Sequence, residues 1–463
     1  MLVSFSVSNF LSFNNEERFE MKAGRVLKKK EHIIFAEKNK LELLHFSAIF
    51  GKNGAGKTNL VRAISVLKNF VIFGRLPQNA TSLWCRTYDE NETRTSNFSI
   101  SFIQNEILYE YSVAVLLATG QLLKEELVRI VGNRHTKLFF RDVNNEYKFH
   151  HSLKGQKNDI EVLARSYSLN GTPFLFNINH NTQGFFVQNK EALPLLEVFR
   201  WFMETLEVVF PDQPIQETSL LRYNLCKNEF ARLLNEFDTG IEEIKLEPVS
   251  KEKVFEVLDT RTQQKINMEM LLVKPDFSNP ILNFLQPLQK RTYSTVIRNR
   301  RDIFIISLED DNEFHFYVLK FVHNIAGKKI EFHMANESDG THRLFQLLEI
   351  LVSDKEKVYI MDELNRSLHP KLTIEFVKKF LKCSENKKIQ LITTTHETRI
   401  MKHDLLRRDE IWICDTNEDR TSKLFSLEKE QVRIDKVLEE NYMDNEWGGI
   451  PKFSDDEENG KKQ

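Results

Sequence analysis

Gly51, Gly56, Lys57 and Thr58 fall in the order G-x-x-x-x-G-K-T, in a chain of 463 residues that holds only 16 glycines. That spacing suits phosphate. Glycines let successive backbone N–H groups turn inward around a β-phosphate, and the start of a helix adds its partial positive charge. Lys57 would reach the β- and γ-phosphates, and Thr58 would give a hydroxyl to Mg2+. Asn53, Gly54, Ala55 and Asn59 complete the segment expected to line the phosphates. The flanks agree: "LHFSAIF" reads as an apolar strand and "NLVRAISVLKNFV" as an amphipathic helix. This strand–loop–helix setting separates a phosphate loop from a chance match. A nucleoside triphosphate is the expected ligand.

Such a loop needs an acid for the metal on a neighbouring strand. The apolar run "KVYIMDE" ends in Asp362 and Glu363. Asp362 is expected to hold Mg2+, and Glu363 to orient or deprotonate the attacking water, which predicts hydrolysis rather than binding alone. A second apolar run, "IQLITTTHE", ends in His396. A histidine at the carboxyl end of a strand in an α/β sheet lies where ligands bind, and is expected to sense the γ-phosphate. The fourth element is "NESDGTHRLFQLLEIL", in which Ser338 and Gly340 open a helix. A serine before a helix is ordinarily a cap, but this one stands about twenty residues before the acidic strand.

The elements that must position these residues can be read from periodicity. The first part of the chain alternates in short β patterns, including hairpins at "SNFSISFIQNEILYEYSVAVLL" and "RIVGNRHTKLFFRDVNNEYKFH". The period turns helical between about residues 185 and 238, "EALPLLEVFRWFMETLEVVF" included. Strands alternating with helices return after Ile303 and imply a mainly parallel sheet covered on both faces. The predicted fold class is α/β: a P-loop NTPase with a mixed β-sheet, flanking helices and a helical insertion. The expected division is an N-terminal ATPase lobe over 1–183, a mainly helical insertion over 184–301, a C-terminal ATPase lobe over 302–430, and an extension over 431–463. The tail "SDDEENGKKQ" has the composition of a disordered segment.

Composition excludes little. The net charge of -2 gives no global sign of a nucleic-acid or membrane partner. Four scattered cysteines without a C-x-x-C pair suit a reducing compartment, and no run approaches the length of a membrane span. A cytoplasmic protein is expected.

With four elements in order, the chain resembles ABC/SMC-like ATPases with a RecF- or OLD-type head. More narrowly, it resembles the AAA15 group that includes RloA-, AbiL- and PARIS AriA-type antiphage ATPases. "FSVSNFLSF" resembles that family's first strand, "ESDGTHRLFQLL" its signature, "VYIMDELNRSLHP" its Walker B strand with D-loop, and "TTTHE" its switch-histidine strand. "RRDEIWIC" and "NYMDNEWGGIP" resemble two later markers. Glu397 stands where the family usually has Asp, and "EWGGIP" departs from the usual "YGAIP". The family's glutamine loop has no clear counterpart, with Gln104 as the candidate.

The resemblance implies ATP and Mg2+ as cofactors, with Ser338 and Gly340 meeting the γ-phosphate across an ATP-sandwich homodimer or higher homo-oligomer. It places Asn365 in the D-loop. Sixty-seven residues follow His396, too few for the Toprim nuclease domain of OLD and Gabija nucleases. The expected effector is therefore a separate nuclease- or toxin-like protein encoded nearby, with a nucleic acid or phage protein as trigger and no membrane partner.

The competing reading is a DNA-binding RecF/SMC-like repair ATPase. The basic segment with Lys290, Arg291, Arg298, Arg300 and Arg301 around Tyr293 would carry it. No heptads long enough for a Rad50-like coiled coil are present. A GTPase would need an Asn-Lys-x-Asp base-reading pattern, which the chain lacks.

Overall fold

Alternating and β-branched runs become strands wherever turn residues separate them, and the computed structural model follows this pattern from the first residues. It describes residues 1–26, 28–153, 159–166, 171–180, 185–211, 223–273, 294–298, 302–309, 311, 313–428, 438–444 and 447–450. Along the chain come β1 (Leu2–Ser8), β2 (Glu17–Glu20), β3 (Ile33–Ala36), β4 (Leu41–Leu44) and β5 (Phe46–Phe50), then helix α1 (Lys57–Phe73). An antiparallel series follows: β6 (Ser96–Gln104), β7 (Ile107–Leu116), β8 (Gln121–Val131), β9 (Arg134–Arg141) and β10 (Tyr147–Phe149). Next are β11 (Leu206–Val209), helix α2 (Tyr223–Glu236), β12 (Ile241–Pro248), β13 (Ser294–Arg298), β14 (Ile303–Leu308), β15 (Phe314–Ile325) and β16 (Lys328–His333). The last part holds helix α3 (Asp339–Val352), β17 (Lys357–Met361), helix α4 (Pro370–Ser384), β18 (Ile389–Thr394), β19 (Ile411–Thr416) and β20 (Ser422–Ser426).

The chain divides into two compact units. The first comprises Met1–Pro214, Asp354–Arg366 and Thr373–Gln463; the second comprises Ile215–Ser353 and Ser367–Leu372. This division differs from the boundaries expected from the sequence. Residues 302–353, with the signature segment, group with the second unit. Residues 185–209 pack within the first, where Leu195, Val198, Trp201, Phe202 and Leu206 join its core.

The first unit holds two sheets. One has the order β10-β9-β8-β7-β6-β1-β2, antiparallel throughout. Asn105 and Glu106 both take positive φ in its β6–β7 turn, the conformation that matches hairpin twist. The other has the order β11-β17-β18-β5-β19-β20, parallel except for β19–β20. Its central strands β5, β17 and β18 are buried at every residue, which is why they read as continuous apolar runs. Gln390 of β18 bonds both Leu2 and Leu44, satisfying a buried amide while tying β1 to this sheet.

One helical expectation fails here. Leu206–Val209, inside the run read as a helix, forms β11 and pairs in parallel with β17. Consecutive valines fit a pleated, largely buried strand, and the pairing outweighs the helical spacing of the run. Lys68 of α1 donates to the Leu206 carbonyl and helps hold the edge strand down.

In the second unit, β12-β15-β14-β13 form a sheet, with β16 also on β15. Helix α2 packs on β12 and on α3, with Phe230 and Phe321 against Phe345. The basic segment and the acidic tail of the sequence analysis lie outside the described residues, apart from the strand β13.

Candidate active site

The phosphate loop is fixed by what crowds it from behind. A Cβ on Gly51 would stand 2.1 Å from the Cys414 carbonyl oxygen of β19, and one on Gly56 would stand 2.1 Å from Ser422 Oγ. Gly56 also takes φ 110°, open to glycine but strained for other residues. Gly54, with φ 77°, meets nothing within 4 Å on the side where a side chain would project. The Ala55 carbonyl accepts from Ser422 Oγ (2.6 Å) and Cys414 Sγ (3.1 Å). The Ser12 and Ser422 hydroxyls also pair at 2.6 Å, with Ser12 as the donor because Ser422 spends its one proton on Ala55, and Asn59 Nδ2 donates to Ser12 Oγ at 2.8 Å. Helix α1 has no side-chain cap at Gly56, so its first N–H groups remain for a ligand.

Lys57 is buried, and its ammonium donates to the carbonyls of Gly51 (2.6 Å) and Lys52 (3.0 Å). Burial pulls it below the usual lysine range, with Cys414, Asp362 and Glu363 opposing. Thr58 Oγ1 donates to Asp362, 2.9 Å from Oδ2, across 304 residues of sequence. Thr394 Oγ1 donates to Asp362 Oδ1 at 2.6 Å and accepts from the Glu363 N–H at 2.8 Å. A hydroxyl and a carboxylate side by side form an all-oxygen donor set, which fits a hard cation such as Mg2+ once phosphate oxygens join it. Among the described residues, no cluster of three His, Cys, Asp or Glu side chains offers a metal cage without such help.

Glu363 takes φ 52°, an uncommon left-handed conformation for a glutamate. Its turn follows directly on β17, whose neighbour β11 accepts the Asp362 N–H at the Val209 carbonyl. A cavity of about 300 Å3 opens over the loop, lined by residues 53–59 together with Arg62, Glu363, Thr394 and His396. His396 is held below the ordinary imidazole range by desolvation first and by the Lys57 cation second, with Asp362 opposing.

The structure thus gathers Asn53, Gly54, Ala55, Gly56, Lys57, Thr58, Asn59, Glu363 and His396 around one cavity, with Asp362 hydrogen-bonded to Thr58 at its wall. Gly51 lies behind the loop against β19. Asn365 does not line the cavity; its side-chain oxygen accepts from Thr395 Oγ1 (3.0 Å) and the His396 N–H (3.4 Å), holding the end of β18. Gln104 sits beside the β6–β7 turn, paired with Ile107, and is not among the cavity residues.

Ser338 and Gly340 belong to the second unit. Ser338 caps α3, accepting from the Thr341 N–H at 3.1 Å. Gly340 is small because the Ser367 carbonyl would stand 3.0 Å from a Cβ there.

A family model described as "AAA domain, putative AbiEii toxin, Type IV TA system" matches residues 46–148 and 188–402, more than half of the chain. The chain belongs to this family. The matched residues include the phosphate loop, the Asp362–Glu363 pair and His396, and the family supports an ATP-binding, ABC-like ATPase. No curated protein matches the chain. Among solved structures, it is similar to an Smc head bound to the C-winged helix domain of ScpA, at 13% identity and TM-score 0.41, covering 93% of this chain and 98% of that one. It is also similar to the SMC head domain from Thermotoga maritima, at 12% identity and TM-score 0.31, covering 92% and 98%. A Pyrococcus furiosus Smc head with an extended coiled coil, bound to the C-terminal domain of ScpA, gives 14% identity and TM-score 0.34, covering 96% and 98%.

Sequence reasoning missed five side chains that line or brace this cavity. Arg62 could have been found, since it follows Thr58 by one helical turn on the same face. Ser12, Thr394, Cys414 and Ser422 are polar residues of ordinary strands and loops, and only the tertiary fold brings them to the loop. Of the late markers, Arg407 forms a buried pair with Asp409 at 2.6 Å, and Gly448 and Gly449 turn beside Asp415 and Tyr442. Among the described residues no helix is long and apolar enough to cross a membrane.

Proposed function

We propose that this chain hydrolyses ATP with Mg2+ and uses the cycle to control a toxic or nucleolytic response. The observation that carries the reading is the Thr58–Asp362–Thr394–Glu363 chain of hydrogen bonds, closed over the cavity that Lys57 enters. Mg2+ bound by Thr58 and Asp362 would supply charge neutralisation at the phosphates. The rest is the work of the chain's own residues. The loop amides and the Lys57 ammonium bind and orient the triphosphate, and stabilise the charge that grows on its oxygens. Glu363 accepts the proton of the attacking water; the oxygen of that water joins the terminal phosphorus as the bond to ADP breaks. His396 donates a hydrogen bond toward the transferred phosphoryl group.

The same reading assigns Ser338 and Gly340 to the nucleotide of a second copy, in an ATP-sandwich dimer or a higher homo-oligomer. A separate effector encoded nearby would carry the toxic chemistry, in an antiphage or abortive-infection role. The family description supports a second reading, since it names a toxin in a type IV toxin–antitoxin system: the chain itself would then be the toxic component.

The deciding experiment expresses the wild type and Glu363→Gln with and without the neighbouring gene, while measuring ATP turnover of the purified chain. ATP turnover lost in Glu363→Gln, with toxicity appearing only when both genes are present, supports the regulatory reading. Toxicity from this chain alone supports the second. Turnover by Glu363→Gln at the wild-type rate would remove the assignment of the base.

A further inference from the structure

The late marker around Gly448 and Gly449 packs on the two strands that carry the phosphate loop. Strands β5 and β19 run in parallel, with Ile413 opposite Phe50. One residue further, the Cys414 carbonyl crowds Gly51. Next, Asp415 stands beside Lys52, with Oδ1 3.4 Å from the Lys52 ammonium. Lys423 of β20 stands 3.9 Å from the other oxygen. Lys52 belongs to the phosphate loop, and its carbonyl accepts from Lys57 Nζ at 3.0 Å. The Asp415 side chain is only 12% exposed. Gly448 and Gly449 take φ 80° and 83°, which favours glycine. A Cβ on Gly448 would stand 2.4 Å from Asp415 Oδ2, and one on Gly449 would stand 2.9 Å from Ile413 Cγ2. The Gly449 carbonyl accepts from Tyr442 Oη at 2.9 Å, and the Tyr442 ring lies 6.2 Å from that of Phe50. Tyr442 sits on the short helix Leu438–Met443. Glu439 of that helix accepts from Thr398 Oγ1 at 3.1 Å, two residues after His396.

We propose that Asp415 is a positioning residue of the nucleotide site: clamped by the Gly448–Gly449 turn, its carboxylate holds Lys52 and so fixes the start of the phosphate loop. This role rests on the reading of the loop as the nucleotide site. Charge alone speaks against an acid in this place. A carboxylate beside a triphosphate site repels the ligand, and here it also occupies an ammonium that could attract it. Position gives it a use. A loop whose backbone N–H groups must converge on phosphate loses affinity when it has to be ordered on binding. The ion pair holds the Lys52 side chain, while the Lys52 carbonyl, with that of Gly51, holds the Lys57 ammonium. Glycine at 448 is part of the device, because any side chain there would push into the carboxylate.

The test measures the affinity of the full-length chain for a fluorescent, non-hydrolysable ATP analogue with Mg2+, together with the melting temperature of the nucleotide-free chain. Asp415→Asn keeps the volume beside Gly448 and removes the charge. It should weaken binding by about tenfold, the scale set by losing one partly buried ion pair. Charge alone would make the same variant bind more tightly. Gly448→Ala leaves every charge in place and should weaken binding in the same direction, by displacing the carboxylate. In a Lys52→Met background, Asp415→Asn should change the affinity by less than about twofold, because the contact it breaks is already gone. That pair decides the matter even if Gly448→Ala fails to fold. Unchanged or tighter binding in Asp415→Asn would overturn the proposal, and a lowered melting temperature with affinity kept would assign Asp415 to stability alone. A tenfold loss that persists beside Lys52→Met would overturn it too, since Asp415 would then act without Lys52. A wild type that does not bind the analogue would remove the nucleotide reading of the loop along with this one. A wild type that binds it keeps the nucleotide reading, whatever Asp415→Asn does.

Discussion

Two helix N-termini in this chain are capped in opposite ways. At α1 the cap position is Gly56, which offers no side chain and leaves the first N–H groups unanswered. At α3 the cap is Ser338, whose hydroxyl oxygen already accepts from Thr341 N–H. The first helix start depends on distant parts of the fold: Ser12, Cys414 and Ser422 hold the Ala55–Asn59 stretch from up to 367 residues away. The second is locally complete. An anion at α1 therefore satisfies groups that the fold leaves open, whereas at α3 it must share a serine that the helix is using. Ser338 can still donate its own proton, so the two roles are compatible, but the helix keeps its cap without any ligand.

Breaking the first of these sites should have the largest effect. Lys57→Ala removes the preorganised charge over the loop, and ATP turnover should fall by at least about a hundredfold. A steady-state phosphate-release assay reads it directly, and retention of wild-type turnover would refute the assignment. Next comes Thr394→Val, which conserves shape while removing the hydroxyl between Asp362 and the Glu363 N–H. It should cost about 1–3 kcal/mol of stability, because the buried Asp362 oxygen loses a donor. Turnover should drop while nucleotide binding persists. Thermal unfolding together with kcat separates this from a folding failure.

A pair of substitutions at Ser338 sharpens the comparison. Ser338→Ala should cost about 1 kcal/mol through the lost cap. Ser338→Asp should keep the cap, as aspartate is an equally good one, while placing a negative charge where the proposed second copy's phosphate would sit. Sedimentation with Glu363→Gln and ATP should show association lost in Ser338→Asp with unchanged melting temperature. If Ser338→Asp associates as before, α3 is a capped helix and no more.

The smallest effect is electrostatic. Desolvation and the Lys57 cation both oppose protonation of His396, so its NMR titration in the nucleotide-free chain should fall below pH 6.5. Lys57→Ala removes one of these two causes, and the midpoint should move upward. A downward move would contradict the cause given.

What the sequence made legible follows the same contrast. Gly51, Gly56, Lys57 and Thr58 lie within eight consecutive positions, and Asp362, Glu363 and His396 close apolar strands, so local spacing carries their roles. Thr394, Cys414 and Ser422 have no local mark, because their contribution is a contact with a strand or loop far away in the chain. The run containing Leu206–Val209 has helical spacing, and only the presence of β17 beside it decides for a strand. The grouping of residues 302–353 with the second unit was likewise beyond reach, since the pairing of β15 with β12, from Pro248 with Tyr317 to Ile241 with His323, joins segments about seventy to eighty residues apart and leaves no periodic trace.

Cys414 gives the loop a chemical property as well as a shape. Burial pushes its thiol up to about 12, so it remains the neutral donor that Ala55 requires. Thiolate is the form that oxidants and alkylating agents attack, and Cys414 supplies almost none of it. Cys383, by contrast, is exposed. The nucleotide loop therefore rests on a cysteine that resists electrophiles and peroxide while the fold is intact, and its modification by iodoacetamide would report that the sheet beneath the loop has opened.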